Sequence, residues 1–330
     1  MPLSLTTLST EGTLNVPFKG DAMIETTDGS AVREALQARL LVELMGNAMH
    51  KELVLKGGLA MRAVHGSVRY TKDIDLDADL IHPKERIHGI VCRSITRTVS
   101  SGLIDNARVT EPKQTDTTMR WKINGNMPGS SAPMQLTVEI SRRASLMSGH
   151  IIEVPMSEKY APGGSGVKIQ VLDSQAIAVT KIMALTDPRR MAPRDMYDLF
   201  VLIKAEIQEP SVLLSSLPAE RLQEAINELW PKLELMTFKQ FSNEVIPFLP
   251  GIVASSFTEE SFAEMQLTVG ERVQMWLEAA ERLQKGIRSP ILHESVIFEP
   301  ARNIPLQSPA DGDLQTHTGP QTSKAAKMSR

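Results

Sequence analysis

Three aspartates alternate with apolar residues in Asp73-Ile74-Asp75-Leu76-Asp77. On a strand, alternate side chains share a face. Thr71, Asp73, Asp75 and Asp77 would therefore project to one side, and Ile74 and Leu76 to the other. Aligned carboxylates repel, and no fold gains from that alone. A hard divalent cation removes the conflict, and magnesium is commonly held by one or two carboxylates together with substrate phosphates. Gly57-Gly58 ends the short run Leu53-Val54-Leu55-Lys56. Lacking side chains, these residues let backbone N–H groups approach a phosphate closely. The helix expected after them opens with an N-terminus that favours an anion. A phosphate cradle beside a pair of metal-binding acids makes a triphosphate site. Taken singly, Gly-Gly is a turn and Asp-x-Asp a solvated strand end. Their order, with apolar residues pointing away from the acids, supports the site. The Thr71 hydroxyl would lie near the triphosphate; its other reading is a β-branched residue suited to a strand.

Periodicity gives the elements that must hold these residues. Val32, Leu36, Leu40 and Leu44 recur at every fourth position of a helix expected from Ser30 to about Lys51. A strand over Glu52–Lys56, a short helix over Leu59–His65 and a strand over Tyr70–Leu80 follow. Pro83 opens a helix to about Ser100. Strands are expected at Gly102–Thr110, Thr117–Ile123, Pro133–Ile140 and Lys168–Leu172. Asp173 or Ser174 caps a helix through Leu185, and Arg194–Ala205 is another. From Val212 to Gly286 the pattern is helical, with breaks near Pro231 and at Pro247–Gly251. Residues 1–29 read as an N-terminal arm. The nucleotide-handling domain would span 30–205 and a helical domain 206–288, with a mostly disordered tail over 289–330.

Composition narrows the class. Of 330 residues, 42% are apolar and 23% charged, which suits a globular chain with a sizeable core. No run approaches the length of a membrane span, and no signal peptide is evident. Cys92 is the only cysteine, so no internal disulfide or cysteine-rich zinc site can form. That fits a reducing cytoplasm. Cys92 is expected as a small core residue, and the seven histidines show no metal-ligand spacing. The net charge is −3, but residues 206–264 hold ten acidic and three basic side chains. The N-terminal part could thus meet a polyanion without global attraction.

Two blocks carry a resemblance. Gly57-Gly58-Leu59-Ala60-Met61-Arg62 is followed by Arg69-Tyr70-Thr71-Lys72-Asp73-Ile74-Asp75, and Lys181-Ile182-Met183-Ala184-Leu185 by Arg194-Asp195-Met196-Tyr197-Asp198-Leu199. In this order they resemble the AbiEii/AbiGii toxin family of polymerase β-like nucleotidyltransferases, over about residues 53–200. Leu59 stands where the family usually has threonine. The resemblance implies an α+β fold: a mixed sheet with covering helices, plus a C-terminal helical domain. It implies nucleotidyl transfer from an NTP with two magnesium ions at Asp73 and Asp75, and nucleotide contacts from Gly57, Gly58, Arg69, Thr71 and Lys181. It further implies a toxin of a bacterial toxin–antitoxin or phage-defence pair, a separate antitoxin, and RNA, including a tRNA 3′ end, as acceptor. Transfer to a protein or small molecule, and a nucleotide-binding regulator without turnover, are the rival readings.

The family also takes a third acid from an adjacent strand. Glu139, between Val138 and Ile140, fits that role or a solvent-facing one, and is placed in the site. Lys181 reads as a snorkelling surface lysine or, through the family match, as a partner of a triphosphate oxygen. Asp195 and Asp198 share one helix face. One of them would orient Lys181 or the nucleotide ribose and the other pair with Arg194; Asp195 is assigned to the site because the Arg-Asp dipeptide is the strongest family feature there, which leaves Arg194 to Asp198. Arg189, Arg190 and Arg194 form a basic cluster, read as a solvated loop or an RNA contact. His65 is expected to be structural.

Overall fold

A computed structural model describes residues 29–46, 51–142, 148–160 and 166–286. The expected arm, Gly29 excepted, and the expected tail over 289–330 lie outside the described residues. The chain runs α1 (Gly29–Met45), β1 (Leu53–Lys56), α2 (Gly57–Ala63), β2 (Asp73–Ala78), α3 (Lys84–Val99), β3 (Asp105–Gln114), β4 (Thr118–Asn126) and β5 (Pro133–Arg142). A 3-10 turn (Ser148–His150), β6 (Ile151–Pro155), β7 (Lys168–Leu172), α4 (Ser174–Leu185) and α5 (Pro193–Lys204) follow. Then come α6 (Ser211–Ser215), α7 (Ala219–Leu235), α8 (Phe238–Glu244), a 3-10 turn (Ile246–Phe248), α9 (Gly251–Ala254) and α10 (Glu259–Gln284).

The seven strands form one sheet in the order β3-β4-β5-β2-β1-β7-β6. The β2–β5 and β1–β7 pairs are parallel and the rest antiparallel. The fold is α+β with a mixed sheet, as expected. Strand alternation splits the sheet into two faces. Leu55, Leu76, Ile140 and Met119 are register neighbours across four strands, and all are fully buried. Helix α3 turns Ile87, Val91 and Ile95 inward on this apolar side, and α1 packs beside it. The opposite face carries the polar residues.

Several boundaries differ from expectation, for identifiable reasons. Strand β2 starts at Asp73 rather than Tyr70, because the Tyr70 N–H donates to the Phe248 carbonyl at 2.7 Å instead of joining the sheet. Strand β3 runs past Thr110 through Pro112, which an edge strand tolerates because its outward side needs no donor. Strand β6 was not expected; it is a short, largely exposed edge strand with little apolar pattern. Pro231 lies inside α7 instead of breaking it, with Leu229 and Leu233 buried on either side. Helix α10 packs along α5, α6 and α7, and α8 lies against α5. Among the described residues, no helix is long and apolar enough to cross a membrane.

Candidate active site

Register, rather than sequence proximity, assembles the polar face. Lys56 on β1 pairs with Asp75 on β2, Asp75 with Glu139 on β5, and Glu139 with Arg120 on β4. One row across the sheet therefore reads Lys, Asp, Glu, Arg. The next row brings Asp77 beside Ser141, and the row on the other side brings Asp73 beside Thr137. Neighbours in register share a face, so Asp73, Asp75 and Glu139 converge as expected.

The cations partition these acids. Lys56 forms an ion pair with Asp77 and donates to Ser141 Oγ at 3.0 Å. Arg120 donates from Nε to Glu139 Oε2 at 2.7 Å. Asp73 and Asp75 are left as the acid pair that no such side chain engages among the described residues. Burial and the neighbouring Asp73 push the Asp75 carboxyl up to about 6, against the opposing pull of Lys56. Glu139 adds to the rise, and Lys181 acts against it. These are oxygen donors whose charge the nearby lysines only partly offset, which suits a hard divalent ion.

The glycines lie where the acids need room. Gly57 adopts φ +68°, and a Cβ there would stand 2.3 Å from Asp75 Oδ2. A Cβ on Gly58 would stand 3.0 Å from Thr71 Oγ1 and 3.2 Å from Arg69 Nη2. The start of α2 is thus pressed against the acid strand, with Thr71 and Arg69 beside it. The Thr71 hydroxyl also accepts weakly from the Asp73 N–H at 3.4 Å. Leu59 is fully buried and belongs to the core.

Arg69 is a buried strut in this structure. It donates to both Asp198 oxygens, at 3.0 and 2.7 Å. Lys181 Nζ lies 2.7 Å from Asp198 and 2.9 Å from Asp195. Burial opposes the Lys181 charge, but Asp198 and Asp195 overcome it and raise the ammonium's pKa. Burial likewise opposes the Asp198 charge, and Lys181 and Arg69 prevail, so its pKa is lowered. Asp195 also accepts from Arg190 at 2.5 Å. The expected pairing of Asp198 with Arg194 is not made. Arg194 donates instead to the Glu244 carbonyl at 3.1 Å, and Asp198 anchors the two cations that frame the site.

Sequence reasoning missed Lys56, Arg120 and the part of Asp198. Lys56 ends an otherwise apolar strand, which is the signal that could have found it. Arg120 becomes visible only once β4 and β5 are aligned. One further expectation changes and one is met. Cys92 is half-buried beside His88 and Glu111 rather than enclosed in the core. His65 Nε2 donates to the Leu172 carbonyl, 2.9 Å away, in keeping with the structural part expected of it.

Comparison with known proteins places this geometry in context. The model of a family described as "Nucleotidyl transferase AbiEii toxin, Type IV TA system" matches residues 39–272. Among solved structures, a candidate nucleotidyltransferase from H. pylori is similar at 20% identity and TM-score 0.49, covering 76% of this chain and 97% of that one. JHP933 from Helicobacter pylori is similar at 18% identity and TM-score 0.48, covering 79% and 97%. No curated protein matches the sequence.

Proposed function

The chain belongs to the AbiEii nucleotidyl transferase toxin family of type IV toxin–antitoxin systems, and from that premise we propose that it transfers nucleotides from an NTP to RNA at a magnesium site on Asp73 and Asp75. Membership makes it a nucleotidyltransferase with an NTP substrate, a divalent metal and an antitoxin partner. The choice of magnesium, the use of two ions and an RNA acceptor, with a tRNA 3′ end first, are our reading.

One observation carries the metal assignment. Asp73 and Asp75 share a strand face with no ion-paired side chain among the described residues, while Lys56 occupies Asp77 and Arg120 occupies Glu139. The donor set fits magnesium, which takes carboxylate oxygens and substrate phosphates. Bound there, the metal would supply charge stabilisation for the attacking and leaving oxygens. The residues do the rest by positioning. Gly57 and Gly58 let the start of α2 pack against Asp75, Thr71 and Arg69, which brings its backbone close to where the phosphate oxygens would bind. Lys181, steadied by Asp195 and Asp198, offers a fixed positive charge behind the acids. Thr71 and Arg69 border the same cradle. Glu139 is our candidate to receive the proton of the attacking hydroxyl, and Arg120 holds its carboxylate in place.

Incubating the full chain with each labelled NTP, magnesium and separate RNA and protein pools tests the proposal. Label should enter RNA, and Asp73→Ala and Asp75→Ala should each abolish transfer while far-ultraviolet dichroism stays unchanged. Full activity in either variant would sink the metal assignment. Label in the protein pool alone would replace RNA with protein nucleotidylation.

A further inference from the structure

On the far side of the sheet from the acids, three side chains of different chemistry converge. His88 and Cys92 lie four residues apart on α3, hence on one helix face. Glu111 reaches them from the edge strand β3. His88 Nε2 is 2.7 Å from Glu111 Oε2, and Cys92 Sγ is 3.5 Å from Glu111 Oε1. Cys92 Sγ is also 3.7 Å from either ring nitrogen of His88. Among the described residues, this is a group of three whose donor atoms all lie within 4.8 Å of one another.

We propose that His88, Cys92 and Glu111 form a binding site for a zinc-class transition-metal ion that ties the edge strand β3 to α3. The donor spacing supports it. Tetrahedral zinc with its usual bond lengths sets sulfur about 3.5 Å from a nitrogen or oxygen ligand, and nitrogen about 3.4 Å from oxygen. Both sulfur separations already match. The His88–Glu111 separation is that of a hydrogen bond, and it widens when the shared proton gives way to the metal. A thiolate with an imidazole selects zinc-class ions over magnesium, which keeps this site chemically separate from the aspartates.

Trp121 supplies a second observation. It lies fully buried beneath the cluster, with its ring 5.7 Å from that of His88. Its indole Nε1 is buried with no hydrogen-bond partner among the described residues. A buried orphan donor is costly. Loss of the Cys92 thiol proton on metal binding gives that N–H a charged acceptor, as groups around metal ligands commonly do. The His88 and Glu111 side chains remain 38% and 37% exposed, which leaves access for the ion and for water at a fourth position. Binding releases the Cys92 thiol proton to solvent.

Cobalt(II) titration of chelator-stripped full-length protein tests this directly. Cys92 is the only cysteine, so any sulfur-to-cobalt charge-transfer band in the near ultraviolet reports on it alone. We expect the band to saturate at one equivalent and to be displaced by zinc. Cys92→Ser should abolish it, and His88→Ala and Glu111→Gln should each weaken binding by about tenfold or more. Asp75→Asn should leave it intact, and zinc should raise the melting temperature of the wild type but not of Cys92→Ser. Glu111→Gln changes an exposed edge position, so it reads binding without risk to the fold. No band in the wild type overturns the proposal. A band undiminished in both the His88 and Glu111 variants, which would be metal on the cysteine alone, overturns it equally.

Discussion

In Asp75 the fold holds a carboxyl whose ionisation it opposes, and this has a measurable signature. Its folded pKa is about 6, above the ordinary 3.8. Between those values the folded chain binds this proton more tightly than the unfolded chain does. The stabilisation is therefore complete below 3.8 and is lost as pH rises through about 6. The loss amounts to on the order of 1–3 kcal/mol after allowance for solvent reaching a half-buried group. Without divalent metal, Asp75→Asn should melt higher than the wild type above pH 7, by roughly 2–8 °C. The gap should close as the pH falls toward 4, and scanning calorimetry across that range would measure it. A gap independent of pH would mean that the substitution acts through packing. The same residues bound what the sequence could disclose. Asp73, Asp75, Gly57 and Gly58 were legible because strand alternation and glycine each act within one segment. Lys56 and Arg120 were not, because their places depend on strand register. Asp198 was undervalued because its partners, Arg69 and Lys181, lie far from it in the chain.

At the scale of elements, the close fit of α2 against β2 makes Gly57 a steric gauge of the site. An alanine there would place its Cβ 2.3 Å from Asp75 Oδ2, at φ +68°. The left-handed backbone alone costs a residue with a Cβ about 1–2 kcal/mol. The larger effect is on function, since the carboxylate must move to avoid the methyl group. Gly57→Ala should fold with modestly lower stability yet lose most nucleotidyl transfer and much of its metal affinity. Gly58→Ala, at 3.0 Å from Thr71 Oγ1, should be milder because a side chain can yield. Equal activity in wild type and Gly57→Ala, measured at saturating NTP, would remove α2 from the site. Elements with a strong internal pattern were readable in advance: α1 through its apolar stripe, α3 through the proline that opens it, β7 and α4 through a strand ending at the Asp173 cap. The edge strands were the least legible. Strand β3 carries Glu111, Pro112 and Lys113, and β6 exposes most of its residues, because neither needs an apolar outer side. Helix α7 defied its proline because neighbouring leucines bury against other helices.

At the scale of the whole molecule, charge decides how a polyanionic acceptor could approach. The chain is net −3, with its acidic excess in the later helices, so any attraction for RNA must be local. The basic cluster around residue 190 is largely spoken for: Arg189 pairs with Asp187, and Arg190 with Asp195. Lys72 and Arg194 differ. Among the described residues, no carboxylate pairs with either, and both lie over the Phe248 ring, at 4.9 and 4.8 Å from its centre. Phe248 belongs to the 3-10 turn after α8, and its carbonyl accepts the Tyr70 N–H just before β2. The later helices thus reach back to the acid strand at the point where two basic side chains gather. If RNA is the acceptor, its phosphates should be met there. Transfer to RNA should then weaken with salt, and Lys72→Gln or Arg194→Gln should raise the RNA KM while leaving the NTP KM unchanged. Each substitution should also reduce the slope of log affinity against log salt by about 0.7, the amount for one phosphate contact on a single strand. Phe248→Leu, which keeps the apolar seat, should change the slope little. An unchanged RNA KM in both basic variants, or an NTP KM that rises in parallel, would move the acceptor path away from this junction.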